Sequence, residues 1–563
     1  MKVLSQRTKI EAIGLALLML ALSVGSVFAV KFSTDQSETP PGDGFFNPIY
    51  IWNSNGQYWN ANATNLQTSL NLGGTTYLPS ETIITNSTIT VPSDVSLIGQ
   101  GWRSIIKAGS GLGAHHIISN ADTINGNIRI EIRNLQIDGN DPNHTTTQFG
   151  ILFQKVSWSV VDNVYIHDTG KDGIRGWTCN HTTFAHITAD NTGHHSIMFS
   201  HGSGYCSISD CNVRSSYTES AIIEHPNEIT GERNHHCSIT HVIAQDGEQI
   251  GFYIADANYI TVSDCITGHS RGEGYKIRDC NDVTITNCQT IDNVLGAGFI
   301  VDTTADGVIL SNCISRNPKS GKDTAYNLLG KNITLTNSIG VDTGSPLYFN
   351  TTTSKNITVS FCQFSNYSNY IIVRGDNINF AFNTFSHPSV IVNHVFSVDS
   401  AATNIKILNN DFKFATTLLK KVNDPSKKAI IRDNIGFPTD YIMTNGGTIT
   451  IGVNGAYSNI LELAPLSRRV IAPKLRLKEL GTIGVGETIT IKVEAVYYNG
   501  VKKTLEKTHT NNSYDYYFTD ADWFSLADTS ITSDQSLERI NVYGKTTNTT
   551  TYANTRVFFL TSG

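Results

Sequence analysis

The sequence predicts an all-β protein whose main domain is a parallel β-solenoid. Three observations lead there: a low charged fraction, an abundance of Thr, Ser and Asn, and an internal repeat of about 24 residues. Charged residues make up 16% of the 563 residues, against roughly 25% in an average protein. That composition excludes a coiled coil or helical solenoid, which would be rich in Glu, Lys, Ala and Leu. The net charge of −7 and the lack of a basic tract argue against a nucleic-acid partner.

The repeat is an apolar residue, two mostly polar residues, and a small or apolar residue. Its copies are Ile132–Leu135, Val161–Val164, Phe184–Ile187, Ile208–Cys211, Ile239–Val242, Val262–Cys265, Ile285–Cys288, Leu310–Cys313, Leu335–Ser338 and Val359–Cys362. From Val164 onward their last residues are 23, 24, 31, 23, 23, 25, 25 and 24 residues apart. A second series runs in phase: Gly150-Ile151, Gly173-Ile174, Ser196-Ile197, Ala221-Ile222, Gly251-Phe252, Gly274-Tyr275 and Gly298-Phe299.

This period predicts three short strands per coil, because three strands and their turns need roughly 22–25 residues. Asn or Asp often stands just before the last residue of the repeat, as Asn134 and Asp210 do. Those side chains tolerate a left-handed backbone, so we expect a tight turn there.

Nine cysteines accompany the repeat. One position of the repeat holds Cys211, Cys265, Cys288, Cys313 and Cys362, and in other copies Val, Ile or Ser. Such a position is typical of an interior stack of small side chains, so we expect buried free thiols there. Cys179, Cys206, Cys237 and Cys280 lie off this stack, where a disulfide bridge remains open.

Residues 1–29 are predicted to be a secretory signal peptide. Lys2, Arg7 and Lys9 precede an apolar run, and small residues follow near Ala29. The alternative is an uncleaved membrane anchor, because the run is almost long enough to span a bilayer. After cleavage we expect a secreted or cell-surface protein without a membrane segment, and its oligomeric state stays open.

The chain resembles the right-handed parallel β-helix superfamily of pectate lyases and polygalacturonases. Asn65–Leu72 and Gly73–Pro79 resemble the capping helix and first strand of that family, and Ile89–Gly101 resembles its opening coil. The resemblance implies an N-terminal segment and cap over residues 30–74 and a right-handed β-helix of about 12–14 coils over residues 75–436.

The last domain, residues 437–563, is predicted to be an antiparallel β-sandwich. Alternating segments there are separated by turns rich in Gly and Asn, namely Thr448–Val453, Glu487–Tyr498, Arg539–Tyr543 and Thr555–Leu560.

In enzymes of the resembled family, the substrate lies along the outward face of the first strand of successive coils. Period-two alternation places Arg175 and Trp177, Ile223 and His225, Tyr253, and Lys276 and Arg278 on that face. The turn entering the strand contributes Asp172, His195 and Glu219, and the turn leaving it contributes Asp256 and Asp279. Glu224 falls at a nominally inward position, so we expect a kinked strand or a buried, partnered carboxylate there. The extra residues of the longest coil, after His225, are expected to wall a groove.

Two chemistries are open for these residues. A lyase would use Arg278 or a cation to neutralise a uronate carboxylate and Lys276 as the base. Glu219, Glu224, Asp256 and Asp279 are candidate Ca²⁺ ligands for that cation. A hydrolase would use a pair of carboxylates, for which we select Asp172 and Glu219, two coils or about 10 Å apart.

The remaining candidates complete the predicted site. His195 is a further catalytic candidate, and Arg175, Trp177, His225 and Tyr253 are candidates for substrate binding. The paired aspartates of polygalacturonases and the Trp-x-Asp-His element of pectate lyases are absent from the sequence. We therefore predict a secreted enzyme, a lyase or hydrolase, acting on acidic extracellular polysaccharide. The alternative is a non-catalytic cell-surface protein that binds glycans or mediates adhesion.

Overall fold

A computed structural model describes residues 50–140, 148–293, 296–316, 324–387 and 394–414, and beyond them only strands up to residue 560. These residues belong to one compact unit, Pro48–Gly563. The predicted signal peptide, residues 1–29, lies outside the described residues. Within them, no helix has the length and hydropathy that a membrane span requires.

The described chain is almost entirely β-structure and winds into a right-handed parallel β-helix of about 13 coils. The predicted fold class and coil number are therefore confirmed. Parallel pairing runs from Gly74–Tyr77 to Ala429–Arg432. In many strands buried and partly exposed residues alternate, as from Leu135 to Asp138, because successive side chains point to opposite faces.

Each coil contributes strands to three parallel sheets. The strands of the first sheet are Ile89–Val91, Ile118–Asn120, Ile151–Gln154, Ile174–Trp177, Ile197–Ser200, Ala221–Glu224, Phe252–Ala255, Tyr275–Arg278, Phe299–Val301, Thr324–Leu328, His394–Val398 and Lys421–Asn423. The strands of the second sheet are Gly74–Tyr77, Val95–Ile98, Thr183–Ala185, Ser207–Ser209, Ser238–Thr240, Ala257–Ser263, Asn281–Thr286, Asp306–Ser311, Lys331–Thr336, Ile405–Leu408 and Ala429–Arg432, with Asn234–His235 beside Ala257–Ser263. The strands of the third sheet are Thr82–Thr85, Ile105–Ala108, Thr188–Thr192, Asn212–Arg214, Ile243–Gln245, Ile266–Gly268, Gln289–Ile291, Ile314–Arg316, Ile339–Val341, Gln363–Ser365, Thr384–His387 and Asp411–Phe414.

Four long strands bend from one sheet into the next. Glu131–Asp138 and Val160–Thr169 pair in the second and third sheets. Ser345–Ser360 and Ile371–Ala381 pair in the first and second sheets.

The corners between sheets use left-handed residues. Asn134, Asn163 and Asp210, each just before the last residue of the repeat, have φ values of +55°, +51° and +55°. Asn and Asp adopt this region more readily than other residues with a side chain. The predicted tight turn is therefore confirmed, and it fixes where each coil changes direction.

The interior is a set of side-chain stacks, one residue per coil. Phe252, Tyr275, Phe299 and Tyr326 form a continuous ring stack with centroids 4.6, 4.7 and 5.2 Å apart. The Tyr275 hydroxyl donates to the carbonyl oxygen of Cys265 at 2.8 Å, which satisfies its polar group inside the core.

All nine cysteines are buried and free, which confirms the predicted buried thiols. No disulfide links Cys179, Cys206, Cys237 or Cys280. Burial raises the pKa of the Cys179 and Cys211 thiols to about 12. These thiols act as small apolar groups in the core.

The N-terminal described segment is an antiparallel hairpin followed by a helix. Strands Tyr50–Asn53 and Gln57–Asn60 pair with each other, and the first also pairs with Gly74–Tyr77. The helix spans Ala63–Asn71, and the Asn62 side chain accepts from the backbone N–H of Asn65 at 2.9 Å. Its Leu66 and Leu70 are buried in the core of the β-helix. Its assignment as a cap stays a prediction.

Strands beyond the β-helix pair antiparallel in two sheets. One contains Asp440–Thr444, Thr448–Ile451, Lys474–Leu480, Phe524–Ser525 and Thr550–Leu560. The other contains Ser458–Leu463, Thr488–Tyr497, Lys502–Thr510 and Leu537–Thr546. Their packing as a sandwich stays a prediction.

Candidate functional site

The register of the first sheet decides which side chains face outward. One outward column contains Leu152, Arg175, Met198, Ile222, Tyr253 and Lys276. The other contains Gln154, Trp177, Ser200, Glu224, Ala255 and Arg278. Neighbouring members of a column lie about 4.8 Å apart, the spacing between paired strands.

The expected orientations of Ile223 and Glu224 are wrong. Ile223 pairs with Phe199 and is fully buried in the core, whereas Glu224 pairs with Ser200 on the outward side. The reason is that Ala221, and not Ile222, pairs with Ile197. The extra residues of the long coil therefore all follow Glu224, and His225 lies in the turn with a φ of +63°.

An apolar floor lies beneath the outward side chains. Met198 and Ile222 point away from the core yet have no exposed surface, and they form a separate hydrophobic cluster with Ile250, Tyr253 and Ala255. Polar neighbours must therefore cover this floor. Because the floor excludes water, it strengthens every electrostatic interaction above it.

Asp172 is fully buried and holds three donors. Its carboxylate accepts from His194 Nδ1 at 2.9 Å, from Arg175 Nη1 at 3.3 Å and from the backbone N–H of His195 at 3.3 Å. Burial favours the protonated form, but the hydrogen bond from His194 and the charges of His195 and Arg175 outweigh it and hold the pKa of Asp172 below its usual value. Asp172 is thus an ionised anchor for Arg175 and the two histidines.

His195 links this anchor to Glu219. His195 Nδ1 lies 2.9 Å from Glu219 Oε2 and 2.9 Å from the Thr218 hydroxyl oxygen. Burial of Glu219 favours protonation, but the hydrogen bond and charge of His195 overcome it and keep the pKa of Glu219 below its usual value. Glu219 is therefore ionised at neutral pH.

Glu224 has the opposite shift. Its side chain is 16% exposed, and His225 Nε2 lies 3.4 Å from Glu224 Oε2. Burial, followed by the charges of Glu219 and Asp256, raises the pKa of Glu224 to about 7, while Arg175 and Arg278 oppose the rise. The site thus combines two carboxylates that are ionised at neutral pH, Asp172 and Glu219, with one carboxyl group, Glu224, that is poised to give up a proton there.

An aromatic wall borders these carboxyl groups. The rings of Trp177 and His201 lie 4.1 Å apart, those of His201 and His225 lie 5.6 Å apart, and the Arg175 guanidinium lies 5.3 Å from the Trp177 ring. Burial, with the charges of Arg175 and His225, lowers the pKa of His201 to about 4. His201 is therefore neutral at physiological pH.

Tyr253, Lys276 and Arg278 lie toward the C-terminal end of the site. Lys276 Nζ lies 5.9 Å from the centre of the Tyr253 ring, and Arg278 Nε donates to Asp279 at 3.0 Å. Burial, followed by the charge of Glu224, raises the pKa of Tyr253 to about 12. The coil of Lys276 and Arg278 is two coils, or about 10 Å, from that of Glu224.

The long-coil loop bridges these two parts. Asn234 Nδ2 donates to the carbonyl oxygens of Glu224 and His225 at 3.0 Å, which closes the loop on the strand. Arg233 Nη1 reaches the backbone oxygen of Asp279 at 2.9 Å. The loop therefore joins the turn after Glu224 to the turn after Arg278.

Among the described residues, two groups of side chains bring three metal-ligating atoms within 4.8 Å of one another. They are Asp172, His194 and His195, and Asp138, His167 and Asp168. The first could hold a divalent cation that accepts nitrogen ligands. The predicted Ca²⁺ ligands Glu219, Glu224, Asp256 and Asp279 do not form such a group within the described part of the chain.

The structure thus brings some predicted site residues together and leaves others apart. We call Asp172, Arg175, His195, Glu219 and Glu224 the charged cluster. Trp177 and His225 border the charged cluster. Asp256 lies near enough to raise the pKa of Glu224. Lys276, Arg278 and Asp279 lie beyond Tyr253. The sequence also places His194 in the turn entering the strand and His201 in the turn leaving it, but the predicted site residues do not include them. Two signals favour them: His194 directly precedes His195, and His201 occupies the same turn as His225 one coil earlier.

Comparison with known proteins adds information on the fold. Residues 227–412 match the family model described as right handed beta helix region. No curated protein sequence matches the chain. The N-terminal fragment of gene product 12 of bacteriophage Phi29 is 14% identical over 67% of this chain and 68% of its own, with a TM-score of 0.52.

Two further structures have lower TM-scores. The A-module of the mannuronan C-5 epimerase AlgE4 of Azotobacter vinelandii is 12% identical, covers 66% of this chain and 95% of its own, and has a TM-score of 0.42. A tailspike protein mutant of the E. coli bacteriophage HK620, in complex with a pentasaccharide, is 12% identical over 89% and 90%, with a TM-score of 0.47. The family match over residues 227–412 and the stacked parallel coils agree on a right-handed parallel β-helix fold.

Proposed function

We propose that the protein hydrolyses a glycosidic bond of an extracellular polysaccharide at the charged cluster, with Glu224 as general acid and Glu219 as general base. One observation carries the proposal: the pKa of Glu224 is raised to about 7 while that of Glu219 is lowered. Glycoside hydrolysis needs one protonated and one ionised carboxyl group on either side of the bond. A pair of carboxyl groups with opposite shifts supplies both at the same pH.

The neighbours of the pair support these roles. Asp172 already accepts from three donors and is closed to solvent, so it positions other groups. His195 holds Glu219 through Nδ1 and fixes the orientation of the carboxylate. Glu219 is thereby ready to take a proton from an attacking water, while Glu224 protonates the leaving oxygen.

The aromatic wall supports a sugar ligand. Trp177 offers a flat, partly apolar ring two coils from Glu224 in the same outward column, and the Arg175 guanidinium lies 5.3 Å from that ring. Sugar rings stack on such surfaces, and hydrogen bonds to their hydroxyl groups fix their orientation. Lys276 and Arg278 would neutralise carboxylates of an acidic polymer two coils further along. The predicted signal peptide, residues 1–29, would export the protein to the place where such a polymer occurs.

The test is product analysis on a panel of extracellular polysaccharides, both acidic and neutral. We expect new reducing ends without ultraviolet-absorbing unsaturated ends. Glu224→Gln and Glu219→Gln should each lower the rate about 100- to 10,000-fold. Glu248→Gln is the matched control, because Glu248 is an exposed carboxylate paired with Arg271 at 2.6 Å in the same stretch of coils. Its rate should equal that of the wild type.

Other outcomes assign other functions. Unsaturated ends that disappear in Lys276→Ala would show a lyase. Stimulation by Ca²⁺ and loss with a chelator would make Glu219, Glu224, Asp256 and Asp279 cation ligands. Binding without turnover on every polymer would favour a non-catalytic glycan-binding protein. Wild-type hydrolysis by Glu224→Gln would refute the assigned roles.

A further inference from the structure

A row of stacked rings lies on the surface outside the charged cluster. Trp158, His181, Tyr205, His236 and Tyr259 come from five successive coils, and we call them the ring stripe. Their successive centroids are 3.9, 4.9, 4.9 and 4.8 Å apart, and successive planes differ by 15°, 13°, 13° and 26°. The stripe therefore follows the axis of the β-helix for about 19 Å, four steps of coil spacing.

The stripe is open to solvent. Trp158, Tyr205 and Tyr259 are 62%, 50% and 55% exposed. Because the ring faces cover one another, the stripe presents ring edges and polar atoms outward. These include the indole N–H, the phenol hydroxyls and the imidazole nitrogens, about one polar group per coil.

The backbone at the stripe is unusual for such large side chains. All five residues have left-handed φ values, between +49° and +57°. Bulky residues rarely adopt this region. The same turn in later coils holds Asp282, Gly307, Asn332, Asn356 and Asn377, residues that favour the conformation. Five coils in the middle of this column, between Arg129 and Asp282, thus carry rings where the fold itself would accept asparagine.

The surface on both sides of the stripe is neutral and polar. The row before it contains Ser157, Asn180, Gly204, His235 and Asn258. The row two residues after it contains Val160, Thr183, Ser207, Ser238 and Thr261. None of these ten residues is a Lys, Arg, Asp or Glu. Charged residues of the same turn flank the stripe at its ends, with Arg129, paired with Asp94, before Trp158 and Asp282 after Tyr259. Between these ends the two rows offer a charged polymer no counter-charge, and a protein interface would need a wider apolar patch than one row of rings.

We propose that the ring stripe is a second binding site, for a neutral polysaccharide chain that lies parallel to the axis of the β-helix. Hydroxyl groups of the sugar would pair with the hydroxyl, amide and ring donors of each coil, and its apolar faces would contact the ring edges. The site goes beyond the proposed hydrolysis and does not depend on it, because the two surfaces share no residue.

The test replaces rings by the residue that the same turn uses elsewhere. The triple variant Trp158→Asn, Tyr205→Asn and Tyr259→Asn keeps a side chain suited to positive φ, so the fold should be retained. The control is Phe361→Asn with Phe382→Asn. These two rings are also exposed and stacked, 5.1 Å apart, and have φ values of +57° and +59° in another turn.

Binding is measured by affinity electrophoresis in xylan, galactomannan, mixed-linkage glucan and dextran, with polygalacturonate as the acidic probe. All proteins carry Glu224→Gln, so that hydrolysis does not remove the probe. We expect at least one neutral polymer to retard the parent, the triple variant to bind about tenfold more weakly, and the control to bind as the parent does.

The inference is overturned by any of four results. These are no retardation by any neutral polymer, unchanged binding in the triple variant, loss of binding in the Phe361 and Phe382 control, and a parent oligomer that the triple variant dissociates in light scattering. The last result would make the stripe a contact between copies. If the wild type hydrolyses no polymer but stripe-dependent binding persists, the proposed hydrolysis fails and the second site stands.

Discussion

Glu224 offers a direct test of the electrostatics of the site through the variant Glu224→Gln. The amide has nearly the shape of the carboxyl group but no charge. The pKa of Glu224 rises from an ordinary 4.5 to about 7 in the folded protein. Ionising Glu224 in the fold therefore lowers the free energy of unfolding by about 3 kcal/mol.

The sign follows from proton binding. Below pH 4.5 Glu224 is protonated in the folded and unfolded chain, and it makes no difference to the free energy of unfolding. Between pH 4.5 and 7 the unfolded chain loses its proton first, so the folded state loses stability as the pH rises. Above pH 7 the folded protein carries a charge beside Glu219 and Asp256. Glu224→Gln should therefore match the wild type at pH 4 and exceed it by about 3 kcal/mol at pH 8.

Urea unfolding of both proteins, at matched ionic strength from pH 4 to pH 8, measures this difference. Glu219→Gln is the control of opposite sign. Because the pKa of Glu219 is lowered in the folded state, that variant should be less stable than the wild type above pH 4.5 and equal to it in acid. A Glu224→Gln difference that does not change with pH would refute the reasoning.

Three further predictions concern the fold around the site. Phe299→Ala, which removes a ring stacked between Tyr275 and Tyr326, should lower the free energy of unfolding by about 3–5 kcal/mol in urea titrations; an effect under 1 kcal/mol would mean that the stack collapses around the cavity. A thiol reagent should label none of the nine cysteines in the native protein and all nine after denaturation, whereas fewer than nine would reveal a bridge. Asp172→Asn should destabilise the protein by about 3 kcal/mol or more, because Arg175 keeps its buried charge without its anionic partner; an unchanged thermal midpoint would contradict this.

The coil architecture could be predicted because its causes are local. A left-handed corner favours Asn, Asp or Gly, and Asn134 and Asp210 supply it at the repeat period. The cysteine stack could be predicted for the same reason, since Cys265 and Cys288 share one inward position with Val242. In both cases a residue type reports directly on its own surroundings.

The register of the longest coil could not be predicted. Ser220-Ala221 and Ala221-Ile222 both fit the small-then-apolar pattern, and the extra residues of that coil could precede or follow the strand. A shift by one residue exchanges the two faces of a strand. The register expected from the sequence places Ile223 outward and Glu224 inward. In the structure Ala221 pairs with Ile197, so Ile223 points inward and Glu224 points outward.

Chemistry on a β-helix depends on this register more than on the residue types. Asp172 is fully buried and Glu224 is largely buried beside the same sheet, and burial alone would favour protonation of both. Asp172 stays ionised because the next coil brings His194 and His195 to it. Glu224 becomes a proton donor near pH 7 because Glu219 and Asp256 lie around it. The histidine partners of Asp172 are 22 and 23 residues away along the chain, and the neighbours of Glu224 include Asp256, one coil on. The role of each carboxyl group therefore depends on its neighbours in the adjacent coils. An insertion that shifts one coil would change the pKa of Glu224 without any substitution at Glu224.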